Sequence, residues 1–484
     1  MKPTNLLILM SDEHNPKIMG CSGHPIAQTP NIDALARTGT MFTSAYTTSP
    51  VCVPARAAFA VGKYVHQIGY WDNADAYDGA IPSWHHRLRE RGHHVAAIGK
   101  LHFRGWDGDD YGFDEMQIPM QIIEGKGDLM GLVRRDLPER GLSWKIAKLA
   151  GPGETPYTAY DRDICTRAQV WLHEEAPRHV DKPWVLFVSF VCPHFPLVAP
   201  AEFYYRYPAE AVALPKQYRA DERPQHPYLR DYASSFVYDR YFDPEKLSKA
   251  IRAYYGLVSF VDDNVGKILR VLDETGLAAT TRVMYTSDHG DNLGARGLWG
   301  KSTMYEEVAG VPLILKGPDV PAGRRVATPA SHVDAYPFIM ACAGEDHPRM
   351  YDGHPGHSLL ALAEGARPER NVLSEYHGMG STTAAFMIRH GRYKYVHYVA
   401  YAPQLFDLER DPEELTDLAG DPAYAAMLAE CRERLYRICD PAAVDARAKQ
   451  RQGELLALHG GREAVIKRGD LGFSPPPGYP ILLG

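Results

Sequence analysis

The chain has 484 residues, 45% hydrophobic and 23% charged, with a formal net charge of −7. That balance argues against a nucleic-acid backbone as the main partner, which calls for a basic excess, and no run approaches the ~20 apolar residues of a membrane span. The length allows a large core and more than one domain.

In chain order, Asn5 to Met10 is a continuous apolar run that stops at Ser11-Asp12, as a buried central strand does. Asn31 is placed to cap a short helix through Ala36, and Thr40 to Ala45 reads as a strand. Ser83 caps a helix ending near Gly92, followed by a strand from His94 to Ile98. Tyr160 to Glu175 has helical spacing, and Trp184 to Phe190 is again a buried strand. Asp243-Pro244 opens a long helix that closes at Gly276, with Pro in the first turn, where its missing N–H is harmless. Val283 to Thr286 and Val311 to Leu315 are strands. This alternation predicts an α/β fold around a large, mostly parallel central sheet flanked by helices.

From about Asn371 the pattern changes. Ala385 to His397 reads as a hairpin turning at His390-Gly391, and Pro422 to Ile438 as a turn and a helix. The expected division is a catalytic unit over 1–370 and a smaller α+β unit with an antiparallel sheet over 371–484. Arg104 to Pro152 and Pro200 to Phe242 read as long irregular loops rich in Gly, Pro and Tyr, which in compact domains are usually functional or disordered. Seven cysteines scatter without a Cys-x-x-Cys pair, the pattern of reduced thiols rather than a disulfide framework. With Leu6 to Met10 too short for a secretory signal, the expected location is cytoplasmic.

Polar residues stand just past several strand ends: Asp12, Lys100, His194 and Asp288. Ligands of open α/β sheets bind at that edge. Asp12, Asp288 and His289 offer oxygens and one imidazole, a donor set for a hard or borderline divalent ion such as calcium, magnesium or manganese. Lys100 and His102 lie two apart, so in an extended segment both point the same way. His194, held between Pro193 and Pro196, has a pKa range suited to protonating a leaving group. Pro54 suits the first turn of a helix and Gly62 its end, which puts Cys52 at a helix N-terminus, where an anion is favoured.

Cys52-Val53-Pro54-Ala55-Arg56 resembles the maturation motif of the type I sulfatases, in which the cysteine becomes formylglycine. The resemblance runs from Asn5 to about Ala419, and the run Leu405 to Glu414 is similar to a C-terminal motif of that family. It implies the alkaline-phosphatase-like sandwich and one divalent ion, Ca2+ foremost with Mn2+ or Mg2+ as alternatives. Asp12, Asp288, His289 and the modified Cys52 are assigned to that ion, and Glu13 stands where many sulfatases carry a second Asp. Lys100 and His102 match a Lys-x-His that related phosphonate monoester hydrolases replace with neutral residues. His194 matches the acid for the leaving alcohol, and Lys301 an ammonium on the sulfate and leaving oxygens. Asn73 matches a contact to sulfate or nucleophile in choline-sulfatase-like enzymes, and Arg56, with the metal, favours an ionised hydroxyl on the hydrated formylglycine.

The implied activity is hydrolysis of a small sulfate ester, with a formylglycine-generating enzyme as maturation partner. A phosphonate monoester or phosphodiester hydrolase is the alternative, and a catalytically silent metal-binding relative a further one. Tyr64 to Phe103 and Ser374 to His397 look similar to choline sulfatases. On that resemblance Glu375 is expected to face a cationic group, and Trp71, Trp106 and Tyr111 to line a choline or aryl pocket. The apolar tail from Pro475 to Leu483 is expected to suit packing on a neighbouring subunit, in a homo-oligomer.

Overall fold

The computed structural model describes residues 2–346, 353–471 and 473–480. Eight strands form the main sheet: β1 (Asn5–Asp12), β2 (Thr40–Phe42), β3 (Val95–Lys100), β4 (Glu115–Met120), β5 (Val185–Pro193), β6 (Thr281–Ser287), β7 (Leu313–Lys316) and β8 (Arg324–Val326). Their order is β8-β2-β7-β6-β1-β5-β3-β4. Every neighbouring pair is parallel except the two that β7 makes with β6 and β2.

β1 lies between β5 and β6 and is covered on both faces, which is why its sequence is a solid apolar run. Leu7 and Leu9 join one core and Leu6, Ile8 and Met10 the other, as a period of two requires. Six helices make the flanking layers: α1 (Pro30–Thr38), α2 (Cys52–Val61), α3 (Trp84–Glu90), α4 (Pro156–Glu174), α5 (Pro244–Glu274) and α6 (Ala335–Ala343). Ile32 and Leu35 of α1, Ile164 of α4 and Leu257 of α5 pack on the Leu7 face. Phe59 of α2, Leu88 of α3 and Phe338 of α6 pack on the Ile8 face. The opening of α5 follows its sequence signal: the Asp243 side chain accepts from Lys246 N at 2.8 Å, and Gly276 turns the chain away at φ 73.

Several boundaries differ from the sequence reading. Thr29 occupies the N-cap position of α1, and Asn31 instead donates to Asp262 of α5 at 2.8 Å. Thr40 to Ala45 is two strands, because the chain leaves the main sheet at Thr43-Ser44, with Thr43 exposed, and Ala45–Tyr46 pairs with Ala330–Ser331. α4 starts at Pro156 behind a Thr155 cap that accepts from Thr158 N. The long segments are not wholly irregular: Arg104 to Pro152 supplies the edge strand β4, where Pro119 is tolerated, and Pro200 to Phe242 contains a helix over Pro227–Phe236.

A second, four-stranded antiparallel sheet follows: β9 (Val372–Tyr376), β10 (Ala385–His390), β11 (Tyr393–Tyr398) and β12 (Tyr401–Asp407). Gly391, at φ 52, makes the tight turn between β10 and β11. Leu373, Phe386 and Leu405 of this sheet share the core of Phe59 and Phe187, so it is joined to the first through apolar packing. Three helices, α7 (Ala425–Ile438), α8 (Pro441–Leu458) and α9 (Gly461–Arg468), lead to a tail that returns to the carboxyl ends of the main strands. The last part of the expected tail contact, residues 481–483, lies outside the described residues.

Candidate active site

The site forms where β1, β3, β5 and β6 end and α2 begins. Val51 is extended at the N-cap of α2, Cys52 is its first residue and Gly62 closes it at φ 72. A Cβ on Gly62 would meet the Tyr336 ring at 2.5 Å, so both the turn and the packing demand glycine there. Arg56, one turn into α2, ties four strands together. Its guanidinium donates to Asp12 Oδ2 at 3.0 Å and Asp288 Oδ2 at 2.8 Å, and to Ser189 Oγ at 2.9 Å. It also donates to the Lys100 carbonyl at 2.8 Å.

Cys52 Sγ is 3.1 Å from His289 Nε2, 3.0 Å from Lys301 Nζ and 3.8 Å from Asp12 Oδ1. His289 Nδ1 lies 2.9 Å from the Gly290 carbonyl, to which it donates, and this leaves the Nε2 lone pair facing Cys52. One ligand atom from each of Asp12, Cys52, Asp288 and His289 lies within 4.8 Å of the others, and Asp12, Glu13 and His194 form a second such group. Lys100 Nζ reaches Asp12 Oδ2 at 2.6 Å. Lys301 Nζ is 3.2 Å from Glu13 Oε2 and 2.8 Å from His194 Nε2, and His194 Nδ1 donates to the Phe195 carbonyl at 2.6 Å. Asn73 Oδ1 accepts from Val53 N at 3.1 Å and so holds the first turn of α2.

These groups are buried, and their charges set one another. Burial alone raises the Asp12 carboxyl, but the charges of Lys100 and Arg56 outweigh it and hold Asp12 well below the usual carboxylate range. Glu13 goes the other way: burial pushes it well above its usual value. Burial and then Asp12 raise the Cys52 thiol. Burial lowers His194, with Lys301 adding to the effect, and burial and Lys100 do the same for His102, so both imidazoles are neutral. Lys301 stays a cation despite burial, because Cys52, Glu13 and Asp12 surround it.

The residues expected to carry the chemistry and to hold the metal all converge on this pole. Cys52, Asn73, Lys100, His102, His194 and Lys301 line a cavity of about 100 Å³, while Arg56, Asp12, Glu13, Asp288 and His289 lie behind Cys52. The route of Lys100 and His102 differs from the expected extended one. Gly99 sits at φ 101 and His102 at φ 60, so a turn, not strand register, brings both to the cavity. The Cβ position of Gly99 lies 2.2 Å from the Ser189 carbonyl, which excludes any larger residue.

The expected substrate-recognition residues lie elsewhere. Glu375 is fully buried on β9 between His66 Nδ1 at 2.9 Å and His377 Nε2 at 3.0 Å. Trp71 packs edge-on against His377, Trp106 is 54% exposed beneath Arg104, and the Tyr111 hydroxyl accepts from Gly105 N. None of the four touches the cavity, whose wall is made by Phe195, Phe236, Phe473, Tyr157, Ile123 and Met379 among others.

Other contributors were not expected from the sequence. Asp161 of α4 accepts from Val191 N at 2.8 Å and Cys192 N at 2.9 Å, clamping the strand end that carries His194. Asp291 Oδ1 accepts from Gly300 N at 3.1 Å and so fixes the turn before Lys301. Thr155-Pro156 is a readable helix start that would have found Tyr157; the pairings of Asp161 and Asp291 show no spacing in the sequence.

A sandwich of this topology, with a cysteine at a helix start facing carboxylates and an imidazole, is that of an alkaline-phosphatase-like hydrolase. The chain belongs to the sulfatase family: the Sulfatase family model matches residues 4–345, and that for N-sulphoglucosamine sulphohydrolase, C-terminal, matches residues 294–440. It is 32% identical over 468 residues to a choline-sulfatase of Rhizobium meliloti (strain 1021), covering 94% of this chain and 90% of that protein. It is 30% identical to arylsulfatase K of Homo sapiens, covering 86% and 79% respectively. Among solved structures, a phosphonate monoester hydrolase from Silicibacter pomeroyi superposes with a TM-score of 0.71 at 24% identity, over 90% of this chain and 94% of that one. The protein is a sulfuric ester hydrolase.

Proposed function

We propose that Cys52, oxidised to formylglycine by a maturation enzyme, provides the hydroxyl that attacks the sulfur of a small sulfate ester. The observation that carries this reading is the position of Cys52 Sγ, in reach of His289, Lys301 and Asp12 at the start of α2. The donor set around it fits a hard divalent ion, with Ca2+ preferred for its carboxylate ligands. Glu13 Oε1 supports this, being a buried carboxylate oxygen with no hydrogen-bond partner. Asp12, Asp288, His289 and the modified Cys52 would hold the ion, with Glu13 beside them, and the ion would stabilise negative charge on the sulfuryl group.

The residues divide the remaining work. Arg56 fixes both aspartates in register and lowers the proton affinity of the nearby hydroxyl. Lys100 and Lys301 place positive charge against the sulfuryl oxygens, where charge grows in the transition state. Lys301 is the protonated member of its hydrogen bond with His194 Nε2, so the proton that His194 passes to the leaving oxygen comes from the Lys301 ammonium. Asn73 anchors the turn that carries Cys52. His102 serves as base when the second hydroxyl releases sulfate.

The aromatic wall supports a compact leaving alcohol, aryl in preference to a cationic one, because Glu375 does not face the cavity. The seven cysteines are free thiols, which supports a reducing compartment such as the cytoplasm. The test is kcat/KM on 4-nitrophenyl sulfate against 4-nitrophenyl phenylphosphonate, using protein co-expressed with a formylglycine-generating enzyme. Preference for the sulfate is expected. Preference for the phosphonate would shift the assignment to phosphonate monoester hydrolysis, and turnover of neither would leave a silent metal-binding fold.

A further inference from the structure

The tail beyond α9 supplies part of the cavity although it lies 317 to 372 residues along the sequence from Tyr157, Arg140 and His102, which it touches. Arg468, Asp470, Leu471, Phe473 and Ser474 line the same cavity as Cys52. Three contacts pin this strap. Arg140, itself buried, donates through Nε and Nη2 to the two oxygens of Asp470 at 3.0 Å each, and to Asp128 at 3.0 Å. Phe473 meets Tyr157 and Phe195 edge-on, with ring centroids 5.7 and 5.9 Å apart. Tyr157 donates its hydroxyl to the Ser474 carbonyl at 2.7 Å.

The pinned strap ends on a site residue. Ser474 Oγ lies 2.9 Å from His102 Nε2, and both side chains are buried. His102 Nδ1 is also buried and has no partner. A neutral imidazole carries one N–H and one lone pair, so engaging one nitrogen decides what the other offers. When Nε2–H donates to Ser474 Oγ, Nδ1 presents the lone pair that a base needs. Partners of this kind fix ring orientation as well as tautomer.

We propose that the strap residues Asp470, Leu471, Phe473 and Ser474 form a positioning element of the active site, in which Ser474 holds His102 through Nε2 and leaves Nδ1 as its working nitrogen. Arg140 and Tyr157 hold the strap, and Ser474 passes that placement to the ring. The proposal rests on the hydrolase reading for its kinetic consequence, but its structural core is independent of turnover.

Two measurements on the full chain test it. In the matured enzyme, Ser474→Ala is expected to lower kcat by about 10- to 100-fold with KM nearly unchanged, and Ser474→Thr, which keeps the hydroxyl, to restore most of the rate. The second readout is carbethoxylation of His102 by diethyl pyrocarbonate, followed on the tryptic peptide from Leu101 to Arg104. Ser474→Ala is expected to label His102 several-fold faster than wild type, with the exposed His173 as an unchanged internal reference. Unchanged kcat, or failure of threonine to rescue it, would overturn the positioning role. Unchanged labelling would overturn the contact itself. A wild type inactive on every sulfate ester would count against the hydrolase reading, and faster labelling in Ser474→Ala would still support the hold on His102.

Discussion

Glu13 and Glu375 are both buried glutamates, one at the end of β1 and one on β9, and they stand in opposite states. At Glu375, burial raises the carboxyl, but His66 and His377 reverse this and bring it to about 2. Its Oε1 accepts from His66 N and pairs with His66 Nδ1, both at 2.9 Å, and its Oε2 pairs with His377 Nε2 at 3.0 Å. At Glu13 burial wins, the carboxyl is pushed well above its usual range, and Oε1 is left without a partner. A buried acid whose oxygens are all engaged is part of the scaffold. One with an oxygen that meets no donor, beside a cluster of ligand atoms, suits the cation proposed for this site.

The sharpest break between the two regions is at Cys52, the proposed nucleophile. Cys52→Ala is expected to lower kcat on a sulfate ester by about 10⁴-fold or more, with the far-ultraviolet circular dichroism of the folded protein retained. Chelation comes next: removing divalent ions should suppress turnover by at least about a hundredfold, and added Ca2+ should restore it.

The glutamates should then separate. Glu13→Gln is expected to reduce metal affinity and activity by about 10- to 100-fold without lowering the urea midpoint. Glu375→Gln is expected to leave kcat near wild type but to destabilise the fold by about 3 kcal/mol, since it breaks a buried ion pair. The opposite pattern, with Glu375→Gln inactive and stable, would return Glu375 to substrate recognition.

The smallest effect is on acid stability. Burial lowers His85 and His332 to about 3 in the folded protein, whereas the unfolded chain takes up their protons near pH 6.5. The unfolded state therefore binds more protons between pH 6.5 and 3, and stability falls as pH drops through that window. From pH 7 to pH 5 each histidine should contribute a loss of about 2 kcal/mol, read from urea midpoints, and His85→Phe should reduce that loss. Glu375 adds a separate loss only below its unfolded value of about 4.3, because its depressed folded value keeps its contribution intact above that.

The central strands and the polar residues at their ends were legible because each carries a local signal: a solid apolar run, then a polar stop. β1 with Asp12 and β6 with Asp288-His289 are of that kind. The helix-start position of Cys52 was legible from Pro54 and Gly62, and its expected role from the resemblance of Cys52-Val53-Pro54-Ala55-Arg56 to the sulfatase motif. Glu375 was misplaced because every residue of β9 is buried, so no polar-out alternation tells which face meets a substrate. Lys100 and His102 reached the cavity through positive-φ turns that period-two reasoning does not foresee. The strap, Asp161 and Tyr157 act through contacts made only when distant segments fold together, and composition alone says nothing about which segment returns.

The most direct test is mass spectrometry of the tryptic peptide from Thr38 to Arg56, taken from protein co-expressed with a formylglycine-generating enzyme. The account predicts a peptide lighter by the difference between a thiol and an aldehyde side chain at Cys52, in the preparations that hydrolyse sulfate esters. An unmodified Cys52 in an active preparation would contradict it.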